Sequence, residues 1–103
     1  MMLSRDVLLS PPPPPISIDV PELGGEVFMR VLSGLEYMAM MDRVRAEEMG
    51  ERESSAMLLE LSLCDEDGKR VLDDGDGLRL AEGHGPAYAR LLMKAQEVNG
   101  LGN

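Results

Sequence analysis

The amino-acid sequence predicts a single small α+β domain in which an N-terminal β-hairpin packs against about three helices. Residues 16–32 alternate apolar and polar side chains in two runs, which Pro21 and the Gly24–Gly25 pair separate. This period of two predicts a hairpin with one apolar face. The rest of the chain carries apolar residues at helical spacing, in segments separated by glycines and acidic clusters. A chain of 103 residues is long enough for one such domain.

The first fifteen residues are expected to form a flexible arm ahead of the domain, which spans 16–103. Residues 1–10 have weak helical potential, and residues 11–15 are five consecutive prolines. Because proline has a fixed φ and no N–H, this run forms a stiff polyproline II spacer of about 15 Å. The spacer could act as a ligand for an aromatic groove on a partner. A simple rod is favoured, because no basic residue closely flanks the prolines.

The hairpin leads into a helix that is expected over Leu35–Met49 and that Gly50 would end. Its apolar residues form two arcs on opposite sides, whereas a helix facing one core needs one stripe. One arc contains Leu35, Met38, Ala39, Ala46 and Met49, and the other contains Tyr37, Met40, Met41 and Val44. We take the second arc as the candidate partner-binding surface, because methionine adapts to varied targets. The alternative is a helix that is buried on both sides within its own fold.

The second half of the chain is expected to supply the core helices. A central helix is predicted over Ser54–Cys64, where apolar residues occupy both faces, and Asp65–Gly68 then forms a tight turn. Residues 73–77 form a polar loop, which opens at most a helical turn. The last helix begins at Pro86 and ends at Asn99–Gly100. Its apolar stripe consists of Ala87, Tyr88, Leu91, Leu92, Ala95 and Val98.

Composition narrows the classes of partner. A net charge of −9 argues against binding to nucleic acid and to an anionic membrane surface, and is compatible with a protein partner or with simple solubility. An acidic mimic of DNA would need carboxylates on a rigid face, whereas many acids here lie in predicted loops. No stretch approaches the ~20 apolar residues of a membrane span. The single cysteine, Cys64, cannot form a disulfide within the chain, which fits a reducing cytoplasm.

The sequence predicts no enzyme, no cofactor and no metal centre. The acidic loop lacks the spacing of a calcium-binding EF-hand, which leaves at most weak binding of divalent cations at Asp73, Asp74 and Asp76. Cys64 and His84 could form a nucleophilic site only if the fold joined them, and a thiol in an apolar stripe is usually inert. One cysteine and one histidine do not supply a structural zinc site. We therefore expect a protein that holds another protein.

Four segments follow one another in a distinctive order. They are Val20–Gly25 with the alternating strand to Val31, Ser33–Glu36 at the start of a helix, Leu61–Lys69, and Val98–Leu101 at the end of the last helix. In their order and spacing they resemble the tail assembly chaperones of long-tailed bacteriophages. The likeness extends over residues 16–102.

This resemblance implies a chaperone that binds and solubilises the tape measure protein before the tail tube polymerises. Such a protein acts in the host cell cytoplasm and is absent from the mature virion. Some members of the family are also made with a frameshifted C-terminal extension that recruits the tail tube protein, which makes that protein a candidate second partner. We also expect this chain to form a homo-oligomer. The alternative function is that of a small structural tail or connector subunit of the virion.

Overall fold

The computed structural model describes residues 1–101, so Gly102 and Asn103, at the end of the predicted domain, lie outside the described residues. The predicted α+β class is confirmed, with a three-stranded antiparallel sheet and, in the described part of the chain, five helices. One helix lies in the N-terminal arm and four lie in the domain, where the sequence predicted about three.

The predicted hairpin is confirmed as strands β1 (Ile16–Val20) and β2 (Gly25–Met29). Ile16 lies opposite Met29 at the open end, and Val20 lies opposite Gly25 at the turn end. The alternation has its expected effect, because Ile18, Val20 and Met29 are buried and the intervening side chains of β1 are exposed. A short 3-10 turn over Pro21–Leu23 joins the strands, and Gly24 follows it with φ 74°, a left-handed conformation that suits glycine.

A third strand, β3 (Leu63–Cys64), corrects the predicted end of the central helix. The helix α3 spans Glu51–Ser62, not Ser54–Cys64, and the chain then becomes extended. Leu63 and Cys64 pair with Met29 and Phe28 of β2, so contacts distant in sequence replace the last helical turn. The strand order is β1-β2-β3, which leaves β1 at one edge of the sheet.

The helix after the hairpin, α2, spans Gly34–Ala46. Its start has the predicted chemistry: Ser33 and Glu36 form a reciprocal capping box. Its predicted end at Met49 is wrong, and so is the assignment of Gly50 as its stop. Glu48 adopts the left-handed conformation at φ 49°, and Gly50 is extended and precedes α3.

Helix α3 is the central core helix, as predicted, and it contacts α2, α4 and α5. Six of its twelve residues are buried, including the polar Glu60 and Ser62. The predicted turn over Asp65–Gly68 is confirmed, because the Asp65 carboxylate accepts hydrogen bonds from the N–H groups of Asp67 and Lys69.

Two further helices complete the domain. Helix α4 (Asp76–Gly83) is longer than the single turn predicted there, and α5 spans Gly85–Val98. Pro86 is therefore the second residue of α5 instead of the first. The predicted stripe of α5 faces inward: Ala87, Leu91 and Ala95 are buried, and the other three members are half-buried.

The N-terminal arm makes little contact with the domain. It contains a one-turn helix, α1 (Arg5–Leu8), which the Ser4 side chain caps and which buries none of its residues. The prolines form no helix or strand, and only Pro15 is partly buried.

Candidate functional site

Helix α2 is held at its start by an ion pair. The guanidinium of Arg30 donates two hydrogen bonds to the Glu36 carboxylate, at 2.9 Å for Nη1–Oε1 and 2.6 Å for Nη2–Oε2. Glu36 also accepts the N–H of Ser33 at 2.9 Å. The Arg30 bond is the main reason why the pKa of Glu36 falls from 4.5 to about 2. This cluster fixes the direction in which α2 leaves the sheet.

The structure places the predicted partner surface against the domain. Met40 is buried, with 5% of its surface exposed, and it is the only buried residue of α2. Tyr37 packs against the core and is half-buried, as are Met41 and Val44. Binding of a partner by these four residues stays a prediction, and Met40 could contribute to it only from the floor of a groove.

The opposite side of α2 is apolar and exposed. Leu35 is 80% exposed and Met38 is 61% exposed. Residues three apart are neighbours on a helix surface, and the exposed Ala39 lies four residues after Leu35. We call Leu35, Met38 and Ala39 the α2 patch. Sequence reasoning found this arc but assigned it to the core side, since periodicity alone does not say which arc faces inward.

A groove runs beside α2 on its inner side. It has a volume of about 230 Å³ and separates α2 from the start of α3 and the end of α5. Its lining combines apolar and small polar side chains: Tyr37, Met40, Met41, Ser54, Ser55, Leu58, Gln96 and Leu101. We call it the α2 groove. Three of the four predicted partner-binding residues therefore line one depression, in which Met40 lies at the base.

A second groove lies between the sheet and helices α4 and α5. It has a volume of about 270 Å³ and is almost entirely apolar. Its lining consists of Val20, Leu23, Gly25, Glu26, Val27, Leu63, Val71, Leu72, Leu80 and Leu91. Leu23 and Val71 are 48% and 50% exposed, so the groove is open to solvent. We call it the sheet groove. Sequence reasoning did not detect it, because its walls come from all three strands, from α4 and α5, and from the segments that connect them.

Cys64 and His84, which could form a nucleophilic site only if the fold joined them, lie in different parts of the chain's structure. Cys64 is buried in β3, and burial raises the pKa of its thiol. His84 is exposed between α4 and α5. Glu60 is a buried carboxylate, and its Oε2 accepts the N–H groups of Gly75 at 3.0 Å and Gly77 at 2.7 Å at the start of α4.

In the part of the chain that the structure describes, no cluster of three histidine, cysteine or acidic residues could hold a metal ion. Across residues 1–101, none of the helices is long and apolar enough to cross a membrane.

Asn99 is a further residue whose importance was not predicted. Its Oδ1 accepts the N–H of Leu32 at 2.8 Å, and its Nδ2 donates to Ser62 Oγ at 3.3 Å. One amide side chain therefore joins the end of α5 to α3 and to the segment before α2. The sequence marked this position only as a helix end, because its partners lie 67 and 37 residues away.

Comparison with known proteins gives one result. No curated protein and no solved structure matched this chain. A protein-family model described as "Phage tail assembly chaperone" matches residues 16–101, which include the hairpin, both grooves and all four helices of the domain. The match covers more than half of the chain and begins at the first residue of β1. The chain therefore belongs to the phage tail assembly chaperone family.

Proposed function

We propose that this protein binds and solubilises the tape measure protein before the tail tube polymerises, and that it does so through α2. Family membership supports the general role in tail assembly. The observation that carries the proposal is the exposure of Leu35 and Met38, on a helix that buries only Met40. Exposed apolar residues grouped on one element are typical of protein-binding surfaces.

The shape of the surface suits a helical partner. The α2 patch and the α2 groove lie on opposite sides of one helix. An apolar helix could therefore pack along the patch while another segment of the same partner places side chains in the groove. Methionines contribute to both: Met38 to the patch, and Met40 and Met41 to the groove. Their unbranched side chains adjust to different neighbours, so one surface can accept many sequences along a long partner.

Charge supports the solubilising part of the role. The net charge is −9, and the arm holds only Arg5 and Asp6, so the negative charge belongs to the domain. Acidic copies bound along a tape measure chain would give that chain a negatively charged coat. Two coated chains would then repel each other and stay in solution. Many copies acting on one polymer need only modest affinity at each site.

A pair of substitutions tests the surface. Leu35→Glu with Met38→Glu should leave the fold intact, because both side chains are exposed, and changes at such sites typically alter stability by less than ~0.5 kcal/mol. Met93→Glu is the matched control, because Met93 is 67% exposed on α5 and lies outside both grooves. The measurement is co-expression with the phage tape measure protein, followed by soluble yield and pull-down.

We expect the wild type and the Met93→Glu variant to retain the tape measure protein in solution, and the double variant to lose it. Equal solubility and binding with all three chains would contradict the assignment of this surface.

We further propose that the protein acts in the host cytoplasm and is absent from the finished virion. Its recruitment of the tail tube protein belongs to the same proposal. Mass spectrometry of purified particles tests whether the protein is absent from the finished virion. Finding the chain at stoichiometric levels in particles would favour a structural tail or connector subunit instead.

A further inference from the structure

The bond between Asn99 and Gly100 joins two residue types that react with each other. Asparagine is chemically labile, and glycine has no Cβ atom that would hinder its main-chain nitrogen from approaching the preceding side chain. That nitrogen can attack Cγ of the asparagine and close a succinimide ring, while the Cγ–Nδ2 bond breaks and ammonia leaves. Water then opens the ring to aspartate, or to isoaspartate, whose main chain contains an additional methylene group.

The fold holds the amide of Asn99 away from this reaction. Oδ1 accepts the N–H of Leu32 at 2.8 Å, and Nδ2 donates to Ser62 Oγ at 3.3 Å and to the Ala95 carbonyl at 2.9 Å. Ser62 is fully buried, so this partner is fixed in the core. The side chain must give up these hydrogen bonds before Cγ can turn towards the nitrogen of Gly100.

The attacking nitrogen is held as well. Gly100 has φ 68°, and its N–H donates to the Glu97 carbonyl at 3.1 Å, while the N–H of Leu101 donates to the Gln96 carbonyl at 2.7 Å. This is the glycine arrangement that commonly ends a helix. The nitrogen must lose its proton to attack, and here that proton is directed at a carbonyl oxygen. Both reacting groups are therefore restrained by the closed end of α5.

The same position is where the restraint is most easily lost. The ends of helices open at a lower free energy than the core, and both Gly100 and Leu101 are exposed. Opening of these residues frees the attacking nitrogen, and separation of α5 from α3 frees the amide. The rate of the reaction in the folded protein therefore depends on how often this end of α5 opens.

We propose that Asn99 is a deamidation site which the closed end of α5 protects, and that its modification weakens the junction of α5 with α3 and with the segment before α2. The product carboxylate can still accept the N–H of Leu32. It cannot donate to the Ala95 carbonyl, and the two oxygen atoms repel each other. Isoaspartate also lengthens the main chain at the point where Gly100 and Leu101 close the helix. Because ammonia leaves, refolding does not restore the amide.

A comparison of the full chain in its folded and unfolded states tests the protection. The protein is incubated in buffer and in guanidinium chloride at the same pH and temperature, and then digested with trypsin. Mass spectrometry follows the conversion of amide to acid in the peptide that begins after Lys94, and fragmentation separates Asn99 from Gln96 and Asn103. We expect conversion at Asn99 to be at least about tenfold slower in the folded chain, because the reaction requires prior opening. Equal rates, or no conversion in the unfolded chain, would overturn the proposal.

Ser62→Ala tests whether the junction itself supplies the protection. It removes one partner of Nδ2 and leaves the Leu32 and Ala95 contacts in place. Ser55→Ala in the same helix is the matched control, because the described hydrogen bonds of Asn99 do not include Ser55. We expect faster conversion in folded Ser62→Ala, unchanged conversion in folded Ser55→Ala, and equal rates for all chains when they are unfolded.

Denaturation curves of the same chains separate local opening from global unfolding. The globally unfolded fraction of Ser62→Ala must be too small to account for its faster conversion. Equal rates in the folded wild type and folded Ser62→Ala would overturn the proposal, and so would an acceleration that only follows the unfolded fraction.

Asn99→Asp tests the effect of the modification, because it creates the simpler product directly. We expect a lower midpoint of thermal unfolding and faster hydrogen exchange at the end of α5 than in the wild type. A variant with the midpoint and exchange rates of the wild type would overturn the claim that modification weakens the junction.

Discussion

Arg30 and Glu36 show how one pair of side chains sets the direction of a helix. Glu36 receives two hydrogen bonds from the Arg30 guanidinium and takes part in the capping box with Ser33. Within residues 1–101 the Nε of Arg30 is buried without a hydrogen-bond partner, so the guanidinium depends on Glu36 for its position. The exposed patch on α2 starts one residue before Glu36, and the pair therefore orients the proposed binding surface.

The Arg30–Glu36 pair should make stability depend on pH in the acidic range. The pKa of Glu36 is lowered from 4.5 to about 2, so its contribution is fully present above pH 4.5 and is lost as the pH falls towards 2. Glutamine at this position keeps the capping box and removes the charge. Because the Glu36 side chain is 37% exposed and solvent screens the pair, we expect Glu36→Gln to cost about 1 kcal/mol at pH 6. The measurement is urea unfolding at pH 6 and pH 2.5.

The difference in the free energy of unfolding between the wild type and Glu36→Gln should be clearly smaller at pH 2.5 than at pH 6. Glu66→Gln is the control, because Glu66 is exposed and makes no side-chain hydrogen bond to any described residue. A Glu36→Gln difference that is the same at both pH values would show that the charge of Glu36 does not stabilise the fold.

At the scale of elements, α4 depends on its contact with α3. Gly77 is buried, and a Cβ atom there would lie 2.6 Å from the backbone oxygen of Ala56 and 2.9 Å from Glu60 Oε2. The close approach lets the Glu60 carboxylate cap the positive N-terminal end of α4. This explains why residues 73–77 look like a loop in the sequence, since the side chain that caps the helix comes from 17 residues earlier.

Gly77→Ala should therefore be destabilising. The added methyl group meets a backbone atom that cannot move freely, and overpacking of this kind costs about 1–3 kcal/mol. Gly83→Ala in the same helix is the matched control, because a Cβ atom there meets nothing within 4 Å. We expect a lower midpoint of thermal unfolding for Gly77→Ala and no loss for Gly83→Ala. Equal midpoints for the two variants would mean that α4 does not dock on α3 through Gly77.

The corner between α2 and α3 contains backbone strain. Glu48 has φ 49°, while the N–H of Met49 bonds to the Val44 carbonyl and the N–H of Glu48 to the Arg45 carbonyl. This is the helix-ending arrangement in which glycine is preferred. From the sequence we expected the helix to end at Gly50, the nearest glycine, which lies two residues after the left-handed residue Glu48.

Glu48→Gly should stabilise the protein by about 1 kcal/mol, because glycine adopts the left-handed conformation without the cost that a Cβ atom brings. Glu48→Ala, which keeps the Cβ atom and removes only the charge, serves as the comparison. Chemical denaturation of the three chains measures the effect. Equal stability of the glycine and alanine variants would show that Glu48 is not strained.

At the scale of the whole molecule, local patterns in the sequence predicted the parts whose stability is local. The alternation of β1, the stripe of α5 and the turn over Asp65–Gly68 are confirmed. In β2 the alternation is incomplete, because the strand ends at Met29 and Phe28 is half-buried like Val27. Strand β3 and helix α4 depend on β2 and Glu60, which lie far away in sequence, and were not predicted correctly. The two apolar arcs of α2 were found, but only the packing of Met40 decides which arc faces the domain.

The whole molecule combines one acidic domain with two apolar grooves and an apolar arm. The α2 surface is proposed for the tape measure protein. It shares no lining residue with the sheet groove, so occupation of one groove does not block the other.

Photocrosslinking from α2 tests the central claim most directly. A photoreactive amino acid is introduced at Met38 in one chain and at Met93 in another, since the two side chains are exposed to similar extents, 61% and 67%. Each chain is co-expressed with the tape measure protein, irradiated and analysed by mass spectrometry. We expect crosslinks to the tape measure protein from position 38 and few or none from position 93. Equal crosslinking from both positions, or none from position 38 while the two proteins co-purify, would contradict binding through α2.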